Sequence, residues 1–193
     1  MMQTKIAVFC SGSGSNAQKI MEYFQHREDI KVAVLMSNKA DAFALERAKT
    51  FHIPTFVFTR NDFCLSEVVL EELRKYEIDW IILAGFLWLI PENLVRNFPD
   101  KIINIHPALL PKFGGKGMFG MHVHRAVVAN KEKESGISIH YVNARYDEGN
   151  IIFQASCPLL SSDTPEEVAK KVQVLEHQHF PRIIEELIKG VKK

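Results

Sequence analysis

Asn104-Ile105-His106-Pro107 is the segment of the chain best able to do chemistry. Positions i and i+2 of a strand share a face, so Asn104 and His106 project together. An amide beside an imidazole suits a carbonyl carbon that becomes tetrahedral: the amide N–H holds the developing oxyanion, and an imidazolium donates to it. Taken alone, the pattern also fits a polar strand terminus with a satisfied core histidine.

A second candidate is Gly12-Ser13-Gly14-Ser15-Asn16-Ala17, which matches G-x-G-x-x-G/A. Glycines let the backbone approach an anion, and a helix N-terminus offers free N–H groups. Ser15 and Asn16 add side-chain donors. A dinucleotide would need an acidic residue about 20 positions on. Ser37-Asn38-Lys39 stand there, with Asp41 the nearest acid, so a phosphate fits better than NAD. Lys112-Phe113-Gly114-Gly115-Lys116 lacks the upstream glycine of a nucleotide phosphate loop, and Gly117 replaces its hydroxyl residue. His122-x-His124 and His177-x-His179 fall on helical patterns, where rings two positions apart diverge, so no metal site is expected.

These residues must be positioned by something. Short apolar runs over 6–10, 32–36, 55–58, 80–84 and 102–105 predict strands, and they are continuous rather than alternating, as in strands covered on both faces. Helical patterns over 15–25, 41–51, 65–76 and 91–98 lie between them. This predicts an α/β fold: a mostly parallel twisted sheet with helices on both faces and a Rossmann-like N-terminal half. Beyond 107–120, a glycine-rich loop, come a helix over 122–129, an antiparallel pair over 136–142 and 151–155, and a terminal helix over 164–188. About seven strands result, with the antiparallel portion in the C-terminal half. Asn104 and His106 then lie at the C-terminal end of a parallel strand, where open α/β sheets bind ligands.

Composition sets the class. The 193 residues carry 24 Lys+Arg against 23 Asp+Glu, a net charge of +1 that gives no general grip on nucleic acid. Hydrophobic residues are 47 % and charged residues 24 %, as in a globular chain. Cys10, Cys64 and Cys157 are odd in number and widely spaced, so neither disulfides nor a zinc knuckle are expected. The longest apolar stretch, 80–90, is too short for a membrane span of about 20 residues, and 1–10 is too short for a secretory signal. A cytoplasmic protein with one domain over 1–193 is expected, bound to neither membrane nor nucleic acid.

With Ser37-Asn38-Lys39-Ala40-Asp41-Ala42, Leu83-Ala84-Gly85-Phe86, Asn104-Ile105-His106-Pro107-Ala108-Leu109-Leu110-Pro111 and Asp147-Glu148-Gly149, the chain resembles the folate-dependent phosphoribosylglycinamide formyltransferases. The resemblance runs from about residue 5 to about residue 180. It implies formyl transfer from 10-formyltetrahydrofolate to the amine of glycinamide ribonucleotide, without a metal. It implies a catalytic trio of Asn104, His106 and Asp147, and a ribonucleotide site of Gly14, Ser15, Asn16, Gln173 and Glu176. It implies a formylfolate site of Leu87, Trp88, Leu89 and Ile90, with Asn104 and with Asn143, Ala144, Arg145, Tyr146 and Asp147; Arg60 is the candidate for the folate tail. Residues 1–100 become the phosphate-binding half and 101–193 the catalytic and folate-binding half, in a monomer or homodimer with small-molecule partners. Two departures stand out: Trp88 where family members often carry Arg, and a longer loop over 112–121. A formyltetrahydrofolate hydrolase would carry an added N-terminal domain and a methionyl-tRNA formyltransferase a C-terminal RNA-binding one, and neither is expected here. If Asp147 meets His106, its charge is expected to raise the imidazole pKa.

Overall fold

The computed structural model describes residues 3–190; residues 1, 2 and 191–193, which the signal and domain readings include, lie outside the described residues. One seven-stranded sheet runs in the order β3-β2-β1-β4-β5-β6-β7. Strands β1 (Thr4–Cys10), β2 (Ile30–Ser37), β3 (Thr55–Val57), β4 (Trp80–Leu83) and β5 (Ile102–His106) are parallel. Strands β6 (Glu134–Tyr141) and β7 (Ile151–Pro158) follow antiparallel at one edge.

Alternate strand residues feed two cores. Ile6, Val8 and Cys10 of β1 face one layer, with Ala17 and Ile20 of α1 (Ser15–Phe24), Leu45 of α2 (Phe43–Thr50), Val123 of α6 (Met121–Ala129) and Val172 of α7 (Pro165–Ile188). Ala7 and Phe9 face the other, with Phe63 of α3 (Arg60–Cys64), Leu73 of α4 (Val68–Lys75) and Leu94 of α5 (Glu92–Asn97). This two-sided burial accounts for the continuous apolar strand runs.

Two sequence expectations need correction. The helix expected over 65–76 begins at Val68, and Leu65 and Val68 are exposed rather than facing the core. A separate five-residue α3 precedes it, too short to show periodicity. Its capping box was readable: Thr59 accepts from the Asp62 N–H, and the Asp62 carboxylate accepts from the Thr59 N–H at 2.8 Å. The helix expected over 41–51 is trimmed to Phe43–Thr50. At the C-terminal end, Thr164 and Glu167 cap α7 reciprocally, with Pro165 in its first turn.

Candidate active site

The strand order reverses between β1 and β4, and there a cleft of about 580 Å³ opens at the C-terminal ends of the strands. Its walls come from the loop after β1, the segment after β4, the end of β5, the glycine-rich loop, the 145–147 turn and one face of α7.

At one end four side chains converge. Antiparallel pairing sets Asn104 of β5 opposite His140 of β6. The Asn104 Nδ2 lies 3.1 Å from His140 Nε2, and His140 Nδ1 donates to the Tyr141 carbonyl at 2.8 Å. The Nδ1 proton of His140 is taken by the Tyr141 carbonyl, and both the Asn104 amide and Asp147 Oδ1 face Nε2. Asp147 lies between the two histidines: Oδ2 is 3.6 Å from His106 Nδ1 and Oδ1 is 3.6 Å from His140 Nε2. The Gly115 N–H donates to Oδ2 at 2.9 Å. His106 Nε2 donates to the Phe113 carbonyl at 2.8 Å. Gly149 makes this turn possible, since a Cβ there would lie 1.6 Å from the Tyr141 carbonyl oxygen.

The electrostatics correct one expectation. Burial pushes the His106 pKa down, and the Asp147 charge and the Phe113 carbonyl only partly offset it. The net direction is below the ordinary value, because a charge removed from water loses more than one carboxylate at 3.6 Å returns. Burial also acts on Asp147, upward, but the His140 ring, the His106 charge and the Gly115 N–H leave it below the usual range. His124 of α6 reaches the same cleft, and burial and His106 lower its pKa.

The loop after β1 brings Ser13 and Asn16 to the same cleft. Gly14 caps α1 with φ 71°, and Ala44 N donates to the Gly12 carbonyl at 3.2 Å, so the loop is pressed on the start of α2. A Cβ on Gly14 would lie 2.5 Å from the Ala44 Cβ. The crowding at Gly14 is therefore with α2. Gln173 of α7 donates to Ser15 Oγ at 3.3 Å, and Arg47 Nε donates to the Ser13 carbonyl at 2.9 Å. Glu176, beside Asn16 in the cleft, is pushed up to about 7 by burial, with the Asn16 hydrogen bond opposing.

Leu87, Trp88, Leu89 and Ile90 also line the cleft. The Leu87 N–H donates to the buried Ser11 Oγ at 3.1 Å, and Trp88 joins an aromatic cluster with Phe58, Phe63 and Phe86. Such ring pairs contribute about 0.5–1.5 kcal/mol each and fix the segment on the sheet. Arg145 and Tyr146 also line the cleft. Asn143 does not; its Oδ1 accepts from Arg145 N at 2.9 Å, shaping the turn, and Ala144 is exposed beside it. Arg60 is outside the lining, with its guanidinium 5.7 Å from the centre of the Trp88 ring. Gly14 and Ser15 stand behind Ser13 and Asn16, which line the cleft.

Sequence reasoning missed His140, Ser11 and the Phe113 carbonyl. The alternation of Ile137, Ile139 and Tyr141 put His140 on the opposite face, but the register against β5 was not readable. Of the first histidine pair, His124 is buried while His122 is exposed against Phe119; His177 and His179 are both half-buried. No group of three or more metal-ligating side chains occurs among the described residues. Among them also, no helix is long and apolar enough to cross a membrane.

The fold is an α/β sheet with a cleft at its switch point, and that cleft brings the loop after β1 together with an amide–imidazole–carboxylate group. The family model for formyl transferases matches residues 4–184, and the chain belongs to that family. It is 43 % identical over 186 residues to a chloroplastic phosphoribosylglycinamide formyltransferase of Arabidopsis thaliana, covering 93 % of this chain and 64 % of that one. A phosphoribosylglycinamide formyltransferase of Bacillus subtilis is 37 % identical, with 95 % and 94 % covered. The crystal structure of the Anaplasma phagocytophilum phosphoribosylglycinamide formyltransferase superposes with a TM-score of 0.89 at 33 % identity, covering 100 % of this chain and 90 % of that one. The chain spans just under two thirds of the two plant relatives it matches, 64 % and 60 % of their lengths.

Proposed function

We propose that this chain transfers the formyl group of 10-formyltetrahydrofolate to the primary amine of N1-(5-phosphoribosyl)glycinamide, a step of purine biosynthesis. The observation that carries the reading is the convergence of Asn104, His106, His140 and Asp147 in one cleft with Ser13 and Asn16 of the loop after β1. The names of the relatives support phosphoribosylglycinamide as the acceptor and formyl as the group moved.

The residues divide the work. Main-chain N–H groups around Gly14, Ser15 and Asn16 receive the phosphate, with Gln173 beside them. Glu176, as carboxylate, accepts from the ribose hydroxyls. The apolar wall of Leu87, Trp88, Leu89 and Ile90 and, from the 143–147 turn, Arg145, Tyr146 and Asp147 enclose the planar pterin, with Asn143 and Ala144 shaping that turn, and Arg60, next to the lining Trp88, takes the tail carboxylates. Residues 1–100 thus carry phosphate binding and 101–193 carry catalysis and most of the folate wall, as one unit.

Catalysis begins with His106 neutral, as its lowered pKa dictates near pH 7. The substrate amine attacks the formyl carbon and the C=O pair moves onto oxygen. The Asn104 amide donates to that oxyanion. His106 takes the proton that the amine must lose, Asp147 stabilises the resulting imidazolium, and the proton passes to N10 as the C–N10 bond breaks. Atoms and charge balance, giving formylglycinamide ribonucleotide and tetrahydrofolate. Holding both substrates in one cleft removes much of the entropic barrier. No step uses a metal, a nucleic acid or a membrane; a cytoplasmic monomer or homodimer suits the reaction. The test is consumption of 10-formyltetrahydrofolate by the purified chain with and without glycinamide ribonucleotide; consumption that ignores the ribonucleotide overturns the reading.

A further inference from the structure

We infer that the main-chain carbonyl of Phe113 is a positioning group that locks the His106 ring as its Nε2–H tautomer, which leaves Nδ1 as the nitrogen that carries the transferred proton. The second half of this statement rests on the formyl-transfer reading; the first half does not.

A carbonyl oxygen only accepts, and a neutral imidazole has one N–H and one lone pair. Phe113 O lies 2.8 Å from His106 Nε2, an ordinary N–H···O distance. A lone pair at Nε2 would face the carbonyl lone pairs at that distance, so the proton stays on Nε2 whether the ring is neutral or charged. Nδ1 is then the basic nitrogen, and it faces Asp147 Oδ2 at 3.6 Å. The titratable groups around the ring are Asp147, His140 and His124, and Asp147 alone is anionic.

The loop is shaped for this contact. Phe113 has φ 56°, a left-handed conformation that residues with a Cβ rarely adopt. Its side chain packs against the apolar core, which holds the twisted backbone in place. Gly114 leaves no room for a side chain: a Cβ would meet Leu110 Cδ2 at 2.5 Å and Asp147 Cβ at 3.4 Å. Gly115 then turns its N–H onto Asp147 Oδ2 at 2.9 Å. Asp147 is itself left-handed, φ 55°. Two left-handed residues thus flank one imidazole, Phe113 with its main-chain oxygen on Nε2 and Asp147 with its carboxylate facing Nδ1, and mark strain at a site where it sets geometry. His140 has the complementary arrangement, its Nδ1 proton committed to the Tyr141 carbonyl at 2.8 Å. One histidine presents Nδ1 to Asp147 and the other presents Nε2, both by backbone constraint.

The test reads the tautomer directly. In uniformly ¹⁵N-labelled full-length protein without substrates, long-range ¹H–¹⁵N correlations of the His106 ring, taken above its titration, should show one dominant Nε2–H form. A dominant Nδ1–H form, or an even mixture, overturns the lock. Gly114→glycolic acid turns the Phe113–Gly114 amide into an ester and weakens the carbonyl acceptor while leaving every side chain in place. In that protein the Nε2–H preference should shrink, the His106 pKa should fall further, and kcat should drop with the ribonucleotide KM held. An unchanged tautomer ratio and pKa in the ester protein overturns the lock as well. The wild-type spectrum decides even if the ester protein does not fold. An Nε2–H spectrum from a chain that transfers no formyl group sinks the activity and spares the lock, whereas active transfer with an Nδ1–H ring does the reverse.

Discussion

Asp147 Oδ2 stands 3.6 Å from His106 Nδ1, yet burial still leaves the imidazole below its ordinary pKa. The carboxylate therefore limits a loss of basicity. Asp147→Asn should lower the His106 pKa further, because the charge that raises it is gone. Turnover should fall more than ribonucleotide affinity, since the imidazolium loses its counter-charge in the step that forms it. Ring titration by NMR and steady-state kinetics of both proteins check this, and equal His106 titration in the two would break the pairing.

Asn104→Ala removes the proposed oxyanion donor, an amide whose Nδ2 lies 3.1 Å from His140 Nε2. Loss of one such donor typically costs about 10²–10³ in turnover. Kinetics on a variant with wild-type circular dichroism and Tm measures the loss. Turnover near the wild-type level would remove Asn104 from the chemistry.

Gly14→Ala meets two obstacles: φ 71° and an Ala44 Cβ 2.5 Å away. The left-handed backbone alone costs roughly 1–2 kcal/mol for a residue with a Cβ. The loop should lift off α2, weakening ribonucleotide binding while a folate analogue still binds the far wall. Separate calorimetric titrations distinguish the outcomes; equal loss of both ligands would mean that the two ends of the cleft are not separate sites.

Glu176, with its pKa pushed up to about 7, should couple ribonucleotide affinity to pH. The carboxylate form accepts from hydroxyl donors, so affinity should rise as pH climbs through about 7. The ligand phosphate titrates near pH 6 as well, about one unit lower. Glu176→Gln should abolish the upper inflection and leave the lower one. An upper inflection that survives the substitution belongs to another group.

How much of this was readable in the sequence depends on where each contact comes from. Asn104 and His106 were legible because strand geometry alone puts i and i+2 on one face. The strand–helix alternation was legible because burial on both faces leaves continuous apolar runs. Asp147 and Glu176 came only from resemblance; nothing local in a turn acid or a helix acid announces a partner far along the chain. His140 depends on the β5–β6 register, where it opposes Asn104. The Phe113 carbonyl belongs to the backbone, which residue types do not describe. The expected rise in the His106 pKa counted the carboxylate and left out desolvation, which requires the fold.

His106, His124 and His177 all have pKa values lowered by burial. In the unfolded chain they titrate near about 6.5. Below that value the unfolded state binds protons that the folded state refuses, so their contribution is complete above about pH 6.5 and is lost as pH falls through the folded values. These histidines therefore lower the Tm on acidification through this range, while Glu176, raised to about 7, works in the opposite direction. His124→Gln should flatten part of the decline in calorimetric scans; an identical pH dependence in the variant would exclude His124 as a contributor.

The central claim is that a formyl carbon moves from a folate nitrogen to the amine of a phosphoribosylated glycinamide. The direct measurement incubates purified chain with 10-[¹³C]formyltetrahydrofolate and glycinamide ribonucleotide and follows the label by ¹³C NMR. The account predicts that the label leaves the folate and appears in the formamide of the ribonucleotide, one for one with tetrahydrofolate, and that Asn104→Ala slows both signals together. Label that stays on the folate, or appears as free formate, contradicts it.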